Sequence, residues 1–229
     1  MPKKKSIKAI VWDLDGTLIH FNIDYLGARR IAIKILKKYG VPKHLLTINI
    51  SILENMKSAR EFFRNEGLTE KKIDEIIKEV DSEISKIEYE AAQNAVMISG
   101  IDQVLEFARS KNLKQAIFTF NTKRNAETSL KKVKLVDYFD VIIGRDNTTN
   151  LKPHPDHLLQ ICKQLDAKTD EILVIGDNTR DIEAAINVDA YSIAIITKLS
   201  KVETLQKADK IIKENEIPQE LIKEIEKLL

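Results

Sequence analysis

The chain has 229 residues, with 37 Lys and Arg against 35 Asp and Glu and a formal charge of +2. The near balance excludes the dense positive field of a nucleic-acid-binding surface, and the length fits one good-sized core or one core with a smaller appended domain. A lone cysteine, Cys162, excludes an intrachain disulfide or a cysteine-built metal site and reads as a small buried apolar side chain.

No stretch approaches the ~18 apolar residues of a membrane span. The lysines at 3–5 precede only six mostly apolar residues before Asp13, too few for a secretory signal, and are read as a solvated tail. The expectation is a cytoplasmic protein with no membrane attachment and no nucleic-acid partner, acting on a small molecule as a monomer or homodimer.

In chain order, the first apolar run, residues 7–12, reads as a strand that leads directly into Asp13-Leu-Asp15-Gly-Thr-Leu18. Residues 20–97 hold no convincing strand, and their spacing predicts helices near 23–39, 50–66 and 69–92. In the third, Ile73, Ile76, Ile77, Val80, Ile84 and Ile87 form one amphipathic stripe, and Thr69 offers its N-cap. Gly40-Val-Pro42 ends the first helix and Asn65-Glu-Gly67 the second. Beyond residue 97, runs at 116–119, 141–144, 172–176 and 192–196 alternate with helical patterns at 101–111, 124–134, 156–165 and 179–187. A weaker run at 208–213 offers an edge strand, and Pro218 opens a last helix bearing Leu221, Ile222, Ile225, Leu228 and Leu229. The alternation predicts right-handed βαβ units: an α/β, doubly wound, Rossmann-like parallel sheet from 1–19 and 98–229, with an inserted α-helical domain at 20–97. A module inserted directly after the first strand end is expected to sit above that end as a lid.

Ligands of open parallel sheets bind beyond the carboxyl ends of the strands. There the chain offers Asp13 and Asp15, then Thr119 and Asn121, then Lys152, then Asp177 and Asp181. Two unit charges about 4 Å apart repel by ~4 kcal/mol at an effective dielectric near 20, so these acids cannot all ionise beside one lysine without a cation. Oxygen-only ligation selects a hard divalent ion, and sharing it with a substrate phosphate favours Mg²⁺ over Ca²⁺. A carboxylate nucleophile, a second acid two residues on, a lysine and a hydroxyl are the parts needed for two-step hydrolysis through an aspartyl phosphate.

At these residues the chain resembles the haloacid dehalogenase superfamily, and within it the phosphoglycolate-phosphatase-like members with a small helical cap. Asp13-Leu-Asp15-Gly-Thr17 is similar to the first motif, Thr119 to the second, Lys152 in Leu-Lys-Pro-His-Pro155 to the third, and Gly176-Asp177-Asn-Thr-Arg-Asp181 to the fourth. The resemblance implies that Asp13 is nucleophile and Mg²⁺ ligand, and that Asp15 is general acid and base and lends its backbone carbonyl to the metal. It implies that Thr119 and Lys152, with Asn121 as helper, hold phosphoryl oxygens. Asp177 would bind the metal directly, and Asp181 through water or by orienting Lys152. The implied reaction is hydrolysis of a small phosphomonoester, phosphoglycolate first among candidates; a sugar phosphomutase and a catalytically silent binding protein are the alternatives.

The chain departs from that pattern at three places. Ile19-His20-Phe21 stands where Val-Asp-Ser is common, Phe120 separates Thr119 from Asn121, and Asn187-Val-Asp-Ala190 replaces an Ala-Gly turn. His20 at the hinge is therefore a candidate substrate contact. So are Arg60 and Arg64, which with Lys57 form the most coherent basic face of the helical insert. His154 and His157 read as loop and surface residues.

Overall fold

Short runs of Val, Ile, Leu and Ala become strands here because both of their faces are covered, so alternate residues enter different cores. In the computed structural model, residues 6–20, 23–197, 200 and 202–229 are described; the basic cluster at 3–5 and Phe21 of the hinge lie outside them. The strands are β1 (Ala9–Trp12), β2 (Lys114–Phe118), β3 (Val141–Ile143), β4 (Ile172–Gly176), β5 (Tyr191–Ile196) and β6 (Lys210–Lys213). They form one parallel sheet in the order β3-β2-β1-β4-β5-β6.

The helices are α1 (Tyr25–Lys38), α2 (Ile52–Asn65), α3 (Glu70–Gln93), α4 (Ile101–Ser110), α5 (Lys123–Lys132), α6 (Asp156–Leu165), α7 (Thr179–Ile186), α8 (Val202–Leu205) and α9 (Gln219–Glu226). On one face of the sheet Ile10 and Trp12 of β1 join Ile101 and Leu105 of α4, Leu130 of α5 and Leu221 of α9. On the other, Ala9 and Val11 join Leu158 and Ile161 of α6 and Ala184 of α7. This is the doubly wound α/β architecture.

The chain divides into two compact units, Met1–Phe21 with Ala92–Leu229, and Asn22–Ala91. The second is helical and has its own core, in which Leu36 of α1, Phe63 of α2 and Ile73 and Val80 of α3 are almost fully buried. Its helix starts are fixed locally: Ser51 and Glu54 form a capping box on α2, and Thr69 Oγ1 accepts from Lys72 N at 3.3 Å.

One expectation is corrected. His157 is not a surface residue: it is fully buried, because it falls on the same stripe of α6 as Leu158, Ile161, Cys162 and Leu165. Its Nε2 lies 3.1 Å from Ile143 O, and its ring meets Phe118 edge-on at 5.6 Å. Burial pushes its pKa down to about 4 and the neighbouring Cys162 thiol up to about 11, so the thiol is inert.

The unfolded imidazole takes its proton near 6.5, whereas the folded one stays neutral down to about 4. Stability from this group is therefore complete above about pH 6.5 and is lost as pH falls towards 4, by up to about 3 kcal/mol. Denaturant melts should show the wild type losing about that much more than His157→Gln between roughly pH 7 and pH 4; equal losses would mean that His157 is not held neutral.

Candidate active site

Strand register sets the site. Trp12 of β1 pairs with Ile117 of β2 and with Ile175 of β4, so Asp13, Phe118 and Gly176 stand level. The next residues out are Thr119 and Asp177. Strand order reverses between β1 and β4, the switch point where open α/β sheets bind ligands, and Asp13 and Asp177 emerge on either side of it. Asp13 N continues the ladder to Ile175 O at 2.8 Å and Thr119 N to Ile143 O at 3.2 Å, so both residues are held by backbone.

Lys152 reaches this point from the loop between β3 and α6 and is 2% exposed. Its ammonium donates to Asp13 Oδ1 and to Phe118 O at 3.0 Å, pairs with Asp181 Oδ1 at 2.7 Å, and lies 4.2 Å from the centre of the Phe118 ring. Two of these contacts are hydrogen bonds, and the third, to Asp181, is an ion pair. Asn187 Nδ2, at the end of α7, donates to Pro153 O at 2.9 Å and ties down the loop that carries Lys152. Asp181 is fully buried, and its second oxygen accepts from Asn178 N at 3.0 Å, closing the first turn of α7. Two glycines permit the close approach: a Cβ on Gly16, whose φ is +89°, would enter the Asp177 carboxylate, and one on Gly176 would enter that of Asp181.

Carboxylate oxygens of Asp13, Asp177 and Asp181 all lie within 4.8 Å of one another. Burial, then the charges of Asp13 and Asp181, push Asp177 up to about 8. Burial raises Asp181 to about 6 against the pull of Lys152. Burial works against the charge of Lys152, but Asp13 and Asp181 outweigh it and hold the ammonium above its ordinary value. One ammonium among three close carboxylates leaves excess negative charge, and an oxygen-only donor set fits a hard divalent cation. The Asp15 carboxylate stands outside this group and accepts from Asn121 Nδ2 at 3.0 Å.

The structure thus gathers Asp13, Thr119, Asn121, Lys152, Asp177 and Asp181 at one end of the sheet, with Asp15 joined through Asn121. On the insert, the candidate contacts Arg60 and Arg64 are each paired: Arg60 with Asp74 at 2.8 Å and Arg64 with Glu70 at 2.6 Å, both acids supplied by α3. His20 is exposed, and its Nδ1 lies 4.0 Å from Glu214. Glu214 lines a cleft of about 560 Å³ beyond β5 and β6, together with Ser99, Thr197 and Lys213.

Several neighbours escaped sequence reasoning. Thr17 Oγ1 donates to Asp13 Oδ2 at 3.3 Å. Arg145 Nη1 donates to Phe120 O at 2.9 Å, and the Arg180 guanidinium lies 5.4 Å from the Phe120 ring. Thr17 follows Asp13 by one turn of spacing and could have been found; Arg145 carries no local signal.

A parallel sheet with buried carboxylates and a lysine at its switch point is the framework of a phosphoric monoester hydrolase. The description "Haloacid dehalogenase-like hydrolase" matches residues 10–195, and the chain belongs to that family. A phosphorylated carbohydrates phosphatase from Thermotoga maritima is 29% identical over 183 residues, 78% of this chain and 80% of that one. A pyrophosphatase PpaX from Bacillus cereus is 28% identical over 196 residues, covering 82% and 83%. Among solved structures, a beta-phosphoglucomutase from Clostridium difficile shares the fold with a TM-score of 0.70, 24% identity and 96% coverage of both chains. Among the described residues, no helix is long and apolar enough to cross a membrane.

A cation entering this group must displace the proton held by Asp177, so calorimetric titration with Mg²⁺ should show affinity falling about tenfold per unit as pH drops below about 8. Gly16→Ala, which drives a methyl into the Asp177 carboxylate, should weaken that binding at least tenfold. Unchanged binding would place the cation elsewhere.

Proposed function

We propose that this chain is an Mg²⁺-dependent phosphatase that hydrolyses a small phosphomonoester through a phosphorylated Asp13. One observation carries the reading: Asp13, at the switch point, is paired with buried Lys152 inside a carboxylate group 4.8 Å across. Asp13, Asp177 and Asp181, with the backbone carbonyl of Asp15, are the residues proposed to hold Mg²⁺. When bound, the ion supplies charge neutralisation to the phosphoryl oxygens.

The chain's own residues do the rest. An oxygen of Asp13 attacks phosphorus, and Asp15 gives its proton to the departing alkoxide. Lys152 and the Thr119 hydroxyl hold the phosphoryl oxygens as charge develops on them. Water then attacks the phosphorus, Asp15 takes the water's proton, and the Asp13 carboxylate is regenerated. The names of the sequence relatives, a phosphatase and a pyrophosphatase, favour release to water; the phosphomutase alternative rests on likeness of fold.

We place the enzyme in the cytoplasm as a monomer or homodimer, with an α/β core domain at 1–19 and 98–229 and a helical cap domain at 20–97. Phosphoglycolate is the substrate that the family resemblance proposes, and the relatives' names add phosphorylated sugars and pyrophosphate to the set to be tried.

Phosphate release across such a panel should require Mg²⁺, stop on chelation, and fall at least about 1,000-fold in Asp13→Asn. Release that survives either change would overturn the proposal.

A further inference from the structure

Asn121 is 4% exposed, and its side-chain amide is tied on one side only. Nδ2 donates to Asp15 Oδ2 at 3.0 Å, while Oδ1 has no hydrogen-bond partner among the described residues. The amide is oriented by this bond, with its nitrogen toward Asp15 Oδ2 and its oxygen turned away from that partner. The backbone fixes the residue as well, with Asn121 N donating to Thr119 Oγ1 at 3.0 Å and Asn121 O accepting from Arg145 N at 2.9 Å. A buried amide oxygen without a donor is destabilising. Ionised phosphate oxygens are acceptors and cannot relieve it; an O–H group can.

We infer that Asn121 is a positioning residue for the second chemical step, holding Asp15 through Nδ2 and accepting through Oδ1 one O–H of the water that attacks phosphorylated Asp13. The inference rests on the proposed phosphatase reading. Water carries two O–H donors, and Asp15 and Asn121 Oδ1 present two acceptors joined by the Nδ2 hydrogen bond. With both hydrogens held, the water's lone pair is left for phosphorus. In the step, a bond forms between the water oxygen and phosphorus, and the bond from phosphorus to the Asp13 carboxyl oxygen breaks with its electron pair returning to Asp13. One water proton passes to the Asp15 carboxylate, and inorganic phosphate leaves. Asn121 changes neither charge nor proton count.

The two chemical steps separate with p-nitrophenyl phosphate, whose leaving group departs without needing a proton. Phosphorylation of Asp13 then does not depend on Asn121, whereas hydrolysis does. Asn121→Leu keeps the side chain's bulk without its amide; Asn121→Ser is the second variant should the first not fold.

Stopped-flow measurement should show a nitrophenol burst of one per site at close to the wild-type rate, followed by steady turnover reduced at least about tenfold. Acid-quenched protein should carry phosphate by mass spectrometry. Burst and turnover falling together, both staying within twofold of wild type, or both variants failing to fold would overturn the inference and leave Asn121 a structural residue. If the wild type itself releases no nitrophenol and forms no phosphoenzyme, it is the phosphatase reading that fails, and the inference falls with it.

Discussion

Burying three carboxylates against one ammonium is the constraint on which the rest of this site depends. Asp13, Asp177 and Asp181 approach within 4.8 Å, and the Lys152 ammonium already donates to Asp13 and the Phe118 carbonyl while pairing with Asp181. At such separations each like-charge pair repels by ~4 kcal/mol at an effective dielectric near 20. The group has two ways to shed charge, by keeping a proton or by taking a cation, and the rise of Asp177 to about 8 is the first of these. A site built in this way is ready for a phosphoryl group and its counter-ion, at the expense of the apo fold.

The fold makes the crowding possible because it assigns each charge to a different rigid element. Asp13 ends β1 and Asp177 follows β4, strands joined in register, so their separation is set by backbone hydrogen bonds. Asp181 is locked by the first turn of α7, and Lys152 by a loop that Asn187 ties to the end of that helix. Glycines at 16 and 176 remove the side chains that would keep the carboxylates apart.

Much of this framework could be read from the chain alone, and the reasons differ from element to element. β1 and β4 were legible as unbroken apolar runs because both their faces are buried. β2 begins at Lys114, before the apolar run, because buried Gln115 accepts from Trp12 Nε1 at 3.2 Å and donates to Leu105 O at 3.2 Å. A polar residue satisfied so far along the chain gives no periodic signal. The four residues of α8 were too few to show one.

Side-chain pairing was harder to read than strand ends. The hydrogen bond from Asn121 to Asp15 joins residues 106 positions apart, and only register brings them together. Arg60 and Arg64 looked like a basic face because their partners, Asp74 and Glu70, belong to the next helix. The most direct test of the charge constraint is thermal unfolding of wild type and Asp177→Asn at about pH 9, in chelator and in Mg²⁺. The account predicts that the variant melts higher than wild type in chelator and that Mg²⁺ raises only the wild type. A variant that melts lower in chelator, or a wild type indifferent to Mg²⁺, would contradict it.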